Sequence, residues 1–271
     1  MRKIAFINEK GGTGKTTLAV NVAADLAMRK GQRVLLVDLD TQGHAAKCLG
    51  VDVRTLQVNV FHLLTDRTVQ LDQVTQPTRI PNLWVVPAYK QMAVFPTTVA
   101  ADAAREDLLD QRVRENTQGH YDLVLFDTPP SMGLATRNVL RAATELVIPV
   151  ALTYLALDGC AELIDSVREV AATSGREPPK ISLVVPTFYR NTSLADEILG
   201  RLKHYFPDAV SATPVSFNVK IDEAQSHGET IWEYAPNSRG AQMLRAVAEE
   251  LWYAEARHHR DASALPAPPA A

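Results

Sequence analysis

The amino-acid sequence predicts an α/β fold in which a doubly wound, mostly parallel sheet carries helices on both faces. Short runs rich in Val, Ile and Leu alternate along the chain with longer segments of helical periodicity. Strands buried on both faces have such continuous apolar runs, and the alternation builds right-handed β-α-β units. A Gly-rich turn joins the first run to the first helical segment, an arrangement typical of sheets that bind phosphate groups.

The predicted strands are short apolar runs bounded by polar or turn-forming residues. They are KIAFIN (3–8), RVLLVD (33–38), LWVVP (83–87), DLVLFD (122–127), ELVIPV (145–150) and ISLVVP (181–186). Helices are predicted to begin near Lys15, Val99, Gly133, Gly159 and Ser193. Residues 57–98 have weaker periodicity and several prolines, so the sequence predicts no function for them.

A chain of 271 residues can bury a large core, and we predict one domain over residues 1–258 and a disordered Ala- and Pro-rich tail over 259–271. The net charge of −3 does not indicate a nucleic-acid-binding protein as a whole, although it permits a local basic face. Cys48 and Cys160 are too few and too far apart for a disulfide framework or a zinc site. The N-terminus lacks the pattern of a signal peptide and no run approaches the ~18 apolar residues of a membrane span, which predicts a cytoplasmic protein.

The Gly-rich turn reads NEKGGTGKTT (8–17) and follows most of the phosphate-loop pattern GxxxxGK[ST]. Such a loop curls backbone N–H groups around a β-phosphate, while its lysine reaches the phosphates and its hydroxyl binds Mg²⁺. The residues predicted to bind the nucleotide are Lys10, Gly11, Gly12, Thr13, Gly14, Lys15, Thr16 and Thr17. Glu9 stands where the pattern has its first glycine, and Lys10 adds a second lysine.

A dinucleotide-binding turn is the competing interpretation of the same stretch. Gly12 and Gly14 begin the pattern GxGxxG, and Asp38 ends the next strand, where a ribose-binding acid could lie. Thr17 stands where that pattern requires Gly or Ala, and the pattern gives Lys15 no role. The phosphate loop is therefore the favoured interpretation.

Acidic residues stand at the ends of predicted strands. Asp38 and Asp40 alternate at the end of the second strand, and Asp127 ends DLVLFD. If the second strand runs beside the first, both carboxylates of the second strand emerge at the carboxyl edge of the sheet. Because the carboxyl ends of parallel strands meet at one edge of a sheet, these side chains should lie near the phosphate loop. We predict that Thr16, Asp38 and Asp127 hold Mg²⁺. A helix cap or turn role is the alternative for each Asp taken alone, and for Asp38 a structural hydrogen bond to the loop.

Six motifs taken together resemble the ParA branch of the ParA/MinD deviant Walker A ATPases, from residue 1 to about residue 252. They are KGGTGKTT, VLLVDLDTQG, FDTPPS, TYLALDG, EAQSHGETI and PNSRGA. The resemblance implies a P-loop NTPase fold of the deviant Walker A type that uses ATP and Mg²⁺. It implies that Lys10 is the signature lysine, which crosses the interface of an ATP-bound homodimer to the partner's nucleotide. The catalytic residues are then Lys10, Lys15 and Asp40, with Asp40 orienting the attacking water.

The same resemblance implies a switch with weak ATPase activity that a ParB-like or other cargo-linked partner stimulates. Its ATP dimer would bind nonspecific DNA, placing the protein on the nucleoid. Arg190, in TFYRNTSL, and Lys220, in SFNVKIDEA, are the predicted DNA contacts, with solvated surface charge as the alternative. Phe217 stands where many relatives carry a basic residue, which predicts weaker, less salt-dependent binding. Chromosome, plasmid and protein assembly remain open as the cargo.

Two related classes compete with a DNA-based function. A MinD-like positioning ATPase would use a membrane or protein scaffold, and the MinD branch ends in a basic amphipathic helix. The last predicted helix carries Glu249 and Glu250 near its apolar stripe, so we expect core packing and no stable membrane insertion. A nitrogenase-like electron carrier would need cysteines in a cluster-binding motif. Cys48 and Cys160 lie in no such motif and are predicted to be buried thiols.

Overall fold

The computed structural model describes residues 1–153 and 156–258, and its described part contains an eight-stranded sheet. In chain order the strands are β1 (Arg2–Phe6), β2 (Val34–Asp38), β3 (Gln76–Pro77), β4 (Leu83–Val86), β5 (Leu123–Asp127), β6 (Glu145–Ala151), β7 (Lys180–Tyr189) and β8 (Val215–Ser216). Their spatial order is β3-β4-β2-β5-β1-β6-β7-β8. The β3–β4 pair is antiparallel and the remaining pairs are parallel, so the carboxyl ends of the parallel strands meet at one edge.

Helices connect the parallel strands, and short helices and turns occupy the segment after β2. The α-helices are α1 (Lys15–Lys30), α2 (His44–Cys48), α3 (Val60–Thr65), α4 (Leu71–Val74), α5 (Phe95–Thr98), α6 (Leu108–Thr117), α7 (Leu134–Ala142), α8 (Ala156–Ser174), α9 (Ser193–Tyr205), α10 (Val219–Ser226), α11 (Ile231–Tyr234) and α12 (Arg239–His258). Two 3₁₀ turns cover Val53–Thr55 and Lys90–Val94. This arrangement confirms the predicted α/β class and its mostly parallel, doubly wound sheet.

All the predicted strands are present, with ends that differ by a few residues. β3 and β8 were not predicted, because each is only two residues long and too short to show a periodic pattern. β2 does not lie beside β1, because β5 lies between them and pairs with both. The carboxyl ends of the three strands still lie at one edge, so the acidic residues remain near the loop after β1.

The predicted helix starts near Lys15, Gly133 and Ser193 are confirmed to within one residue. The start near Val99 is wrong, because Val99 is the C-cap of α5 and the next helix begins only at Leu108. The helix predicted near Gly159 is already formed at Ala156. The division into a domain over 1–258 and a tail stays a prediction, and residues 259–271 lie outside the described ranges.

The sheet has a hydrophobic core on each face, because alternate side chains of its strands point to opposite sides. On β1, Ala5 belongs to the core that includes residues of α3, α6, α7, α8 and α9, whereas Ile4 belongs to the core that includes residues of α1, α2, α10, α11 and α12. On β2, Leu35 belongs to the same core as Ala5, and Leu36 belongs to the same core as Ile4. The burial of both faces explains why the strand sequences are continuously apolar, and it fixes the strand ends that carry the site.

The last helix, α12, packs into the core as predicted. Its apolar stripe includes Leu244, Val247 and Leu251, which are fully buried against the face that α1 covers. Among the described residues, no helix combines the length and the apolar composition needed to cross a membrane.

Candidate nucleotide-binding site

The loop between β1 and α1 has the backbone geometry of a phosphate-binding turn. Gly12 and Gly14 adopt left-handed conformations with φ of 71° and 91°, and Gly14 is the N-cap of α1. Side-chain-bearing residues rarely adopt such angles, so both glycines are needed for the loop to turn into the helix. The first N–H groups of α1 have no partners within the helix and, with the helix dipole, favour an anion at this point.

Lys15 lies at the centre of this loop and is only 7% exposed. Its Nζ donates hydrogen bonds to the carbonyl oxygens of Asn8, at 2.9 Å, and Lys10, at 3.1 Å. Burial lowers the pKa of the Lys15 ammonium, and the charges of Asp127 and Asp40 oppose this shift. The loop therefore holds the lysine within the curve where phosphates would bind.

Thr16 and Asp127 meet where the predicted Mg²⁺ site requires them. Thr16 Oγ1 donates to Asp127 Oδ2 at 2.7 Å, and Asp127 Oδ1 is buried without a hydrogen-bond partner among the described residues. Burial raises the pKa of Asp127 to about 7, although the Thr16 bond lowers it. A hydroxyl and a carboxylate with an unused buried oxygen are hard donors that fit Mg²⁺, so these two residues are compatible with the predicted metal role.

Asp38 is fully buried and lies opposite Asp127 in the register of β2 and β5. Its Oδ1 accepts from the backbone N–H of Asp40 at 2.9 Å, and its Oδ2 accepts from that of Ala45 at 3.1 Å. These contacts are the ones that a structural role predicts, because they fix the loop that carries Asp40. Membership of Asp38 in the Mg²⁺ shell stays a prediction.

Asp40 is half-buried and borders the cleft above the phosphate loop. Its Oδ1 accepts from the backbone N–H of Gln42 at 3.0 Å, which fixes the carboxylate at the beginning of the TQG turn. The carboxylate thus faces the same space as Lys15 and Thr16. That placement is compatible with orienting a water molecule toward a bound phosphate, which stays a prediction.

Lys10 points away from this cleft, although it lies in the same loop. Its backbone N–H is held by Asn8 Oδ1 at 2.9 Å. Its side chain lies against α8, where a Cβ added to Gly159 would be 2.8 Å from Lys10 Cε and 3.1 Å from Lys10 Nζ. The described residues that line the cleft begin at Gly11 and do not include Lys10. A lysine that serves a partner's nucleotide rather than its own would have this orientation.

The cleft has a volume of about 530 Å³ and contains all but one of the predicted nucleotide-binding residues. Besides these and Asp40, it is lined by residues from the TQG turn and α2, from the Pro-rich loop after β5, and from the end of α10: Gln42, His44, Lys47, Cys48, Pro130, Gln225 and Ser226. The sequence patterns predicted no role for His44, Lys47 or Gln225. Only their place directly after TQG, or within EAQSHGETI, could have indicated them, because their proximity depends on how α2 and α10 pack.

Arg190 and Lys220 lie on neighbouring segments at the same end of the sheet. Arg190 directly follows β7, and Lys220 lies in the first turn of α10, shortly after β8, which pairs with β7. Both side chains are exposed, and Lys220 Nζ contacts Glu223 Oε2 at 2.7 Å. Phe217 stands between β8 and α10 and is 55% exposed. Whether this surface binds DNA stays a prediction.

The two thiols are buried, as predicted. Cys48 and Cys160 are at most 6% exposed, and burial raises the pKa of each thiol to about 12.

The motif PNSRGA contains Gly240, where an added Cβ would be 2.9 Å from both Asn218 Oδ1 and Ile221 Cγ1. This motif therefore brings α12 close to the start of α10 and does not line the cleft among the described residues.

The parallel sheet, the glycine loop at the start of α1 and the Thr16–Asp127 pair define a P-loop nucleotide-binding protein. Residues 1–178 match the model of a family described as an AAA domain. The chain is 38% identical over 248 residues to the sporulation initiation inhibitor protein Soj of Bacillus subtilis, with 92% of this chain and 97% of that protein covered. It is 39% identical over 253 residues to the chromosome-partitioning ATPase Soj of Thermus thermophilus, with 93% and 95% covered.

A solved structure has the same fold over nearly the whole chain. It is that of cobyrinic acid a,c-diamide synthase from Mycobacterium smegmatis with a bound ATP analog and magnesium, with a TM-score of 0.81, 28% identity and 98% of both chains covered. The chain belongs to the ParA/MinD family of deviant Walker A ATPases, as the resemblance of its motifs predicted.

Proposed function

We propose that the protein is a Mg²⁺-dependent ATPase that dimerises on ATP and binds nonspecific DNA as a dimer, in order to segregate or position a cargo. The observation that carries this proposal is the orientation of Lys10, which lies in the phosphate loop but packs against α8 outside its own cleft. The relationship to a chromosome-partitioning ATPase and the ATP analog and magnesium in a related structure support the same function.

ATP would occupy the cleft with its phosphates in the curve of the glycine loop. The loop N–H groups and Lys15 Nζ would hold the β- and γ-phosphates, and Thr16 Oγ1 and Asp127 would hold Mg²⁺. Bound Mg²⁺ neutralises charge that develops on the phosphate oxygens. Asp40 would orient the attacking water.

Lys10 would complete the site of the partner subunit. A cation delivered across an interface stabilises the transition state in the same way as an arginine finger, so a subunit alone should hydrolyse ATP slowly. This dependence makes the dimer, rather than the subunit, the active unit. A ParB-like or other cargo-linked protein would then accelerate hydrolysis and release the dimer from its track.

Arg190 and Lys220 would contact DNA phosphates. Two exposed cations on adjacent segments give each subunit a small basic surface, and dimerisation doubles it. Contacts to the phosphate backbone of DNA carry no information about base sequence, which fits nonspecific binding along a nucleoid. The alternative of solvated surface charge predicts no loss of DNA binding when either residue is replaced.

The test is binding of the purified protein to random-sequence duplex DNA with ATP, ADP or no nucleotide, at two salt concentrations. Lys10→Ala and Arg190→Ala should each abolish the ATP-dependent binding, which should also weaken with salt. Arg201→Ala is the matched control, since Arg201 is an exposed arginine on α9 that pairs with Glu197. Retention of ATP-dependent binding by Arg190→Ala, or equal loss in Arg201→Ala, would contradict the assigned surface.

A scaffold other than DNA is the second candidate, and one observation favours it. Exposed apolar side chains lie close to Arg190 in the chain or follow β8, namely Phe188, Leu194, Phe217 and Val219. Apolar groups beside cations also suit an anionic membrane surface. ATP-dependent co-sedimentation with phosphatidylglycerol vesicles, together with no binding to DNA at low salt, would support this MinD-like alternative.

A further inference from the structure

The end of β7 is tied to the phosphate loop by a side chain that the proposed mechanism does not use. Thr187 is 3% exposed, and its Oγ1 donates to the carbonyl oxygen of Thr13 at 2.9 Å. The next residue, Phe188, has a left-handed φ of 52°, which is strained for a residue with a side chain. Arg190 follows directly after the strand. The Thr187 bond therefore holds the loop against the segment that presents Arg190.

A second bond ties the loop to the segment that presents Lys220. Gln225 Nε2, in the last turn of α10, donates to Thr17 Oγ1 at 2.5 Å. Lys220 lies in the first turn of the same helix, where the side chain of Asn218 caps the Lys220 N–H at 3.0 Å. Because Gln225 and Lys220 belong to one short, capped helix, a displacement at Gln225 would be transmitted to Lys220.

The two segments enclose a small space next to the loop. A cavity of about 50 Å³ is lined by Gly14 and Leu18 on one side and by residues of β7, β8 and α10, together with Phe217 between β8 and α10, on the other. Unfilled space allows small shifts that a closely packed interior would resist. The contact of the loop with the end of β7 and with α10 is therefore not closely packed, and the hydrogen bonds of Thr187 and Gln225 cross it.

We propose that Thr187 and Gln225 are positioning residues that couple the nucleotide in the cleft to the surface that carries Arg190 and Lys220. This inference rests on the proposed function. Phosphates that bind the loop N–H groups fix the loop, and Thr187 and Gln225 then hold β7 and α10 in one arrangement. The surface is thus ordered within each subunit, in addition to being doubled by dimerisation. Because such coupling is reciprocal, DNA should raise the affinity for ATP by the same factor.

Thr187→Val tests the coupling with a small change, because valine keeps the methyl group and removes the hydroxyl. Thr187→Ser should restore it. Thr117→Val is the matched control, since Thr117 is a fully buried threonine of α6 whose hydroxyl also donates to a backbone carbonyl, that of Val113. Gln225→Met removes the second bond. ATP should raise the affinity for DNA less in each of these variants than in the wild type. Loss of either hydrogen bond should lower the ratio of the two DNA affinities, with ATP and without nucleotide, by about fivefold, which is the effect of one neutral hydrogen bond.

Hydrogen–deuterium exchange supplies a readout that does not depend on DNA. In Lys10→Ala protein at saturating ATP, where the dimer is not expected, ATP should protect residues 188–194 and 215–222. Thr187→Val should remove this protection from 188–194, whereas Thr117→Val should leave it. Unchanged protection in Thr187→Val would overturn the inference. If ATP protects these segments but the wild type does not bind DNA, the coupling is upheld and the proposed function is overturned. The failure of the inference and the failure of the proposed function are therefore distinguishable.

Discussion

Asp38 and Asp127 lie side by side at the carboxyl ends of β2 and β5, in direct register and fully buried. Burial is the main cause that raises the pKa of each carboxyl, and for Asp38 the negative charge of Asp127 adds to it. Two neighbouring acids in a low-dielectric environment are a site for positive charge. Asp38 satisfies both oxygens with backbone N–H groups, whereas Asp127 Oδ1 has no hydrogen-bond partner within the part of the chain that the structure describes.

The first prediction concerns the pH dependence of stability without nucleotide or metal. The pKa of Asp127 is about 7 in the folded protein and 3.8 as its ordinary value, so between these values the folded state binds more protons. Stability must therefore fall as pH rises through this window. Relative to Asp127→Asn, we expect the Tm of the wild type to fall by about 5 °C between pH 5 and pH 8. Parallel Tm curves for the two proteins would contradict this.

The second prediction concerns the dependence of ATP turnover on protein concentration. Turnover per wild-type subunit should rise with concentration, because under the proposed function each site would take its second lysine from the partner. Lys10→Ala should lower turnover by at least about tenfold at every concentration and remove this dependence. Lys203→Ala, an exposed lysine of α9, should behave as the wild type. Concentration-independent turnover that is the same in Lys10→Ala would exclude a role in trans.

The third prediction concerns the turn that places α2 beside the cleft. Gly43 has a φ of 63°, and a Cβ added there would be 2.7 Å from the backbone oxygen of Ala88. Gly43→Ala should lower the free energy of unfolding by about 2–4 kcal/mol. Gly200→Ala is the control, since Gly200 is in α9 with open space around it, and it should raise stability by about 0.5–1 kcal/mol. Urea denaturation measures the free energy of unfolding of both variants. A Gly43→Ala protein as stable as the wild type would contradict this prediction.

The fourth prediction concerns Phe217 and the salt dependence of DNA binding. Phe217 is 55% exposed between β8 and Lys220, so a longer cation there would project from the same surface. Phe217→Arg should tighten DNA binding by the ATP-bound dimer. It should also steepen the slope of log affinity against log salt by about 1 for each phosphate contacted. Phe217→Gln is the control for loss of the aromatic ring, and it should leave the slope as in the wild type. If Phe217→Arg also leaves the slope as in the wild type, this position lies outside the DNA surface.

Much of the site was predictable because its signals are local. The glycines at 12 and 14 are required by the backbone angles of one turn, and Lys15 and Thr16 follow from the same short motif. Asp127 was predictable because it ends a continuously apolar strand. The start near Val99 failed because a short helix ends there, and a helix of about one turn carries too little periodicity to locate its end.

The sequence by itself determined the six longer strands, the phosphate loop and the family, since each depends on residues close together in the chain. Only the tertiary structure decided that β5 separates β1 from β2, that both oxygens of Asp38 bind backbone N–H groups, and that Lys10 packs against Gly159. It also brought Thr187 and Gln225 to the loop. These relationships join residues that are far apart in the chain. They depend on how helices and strands pack, and a linear pattern does not encode that packing.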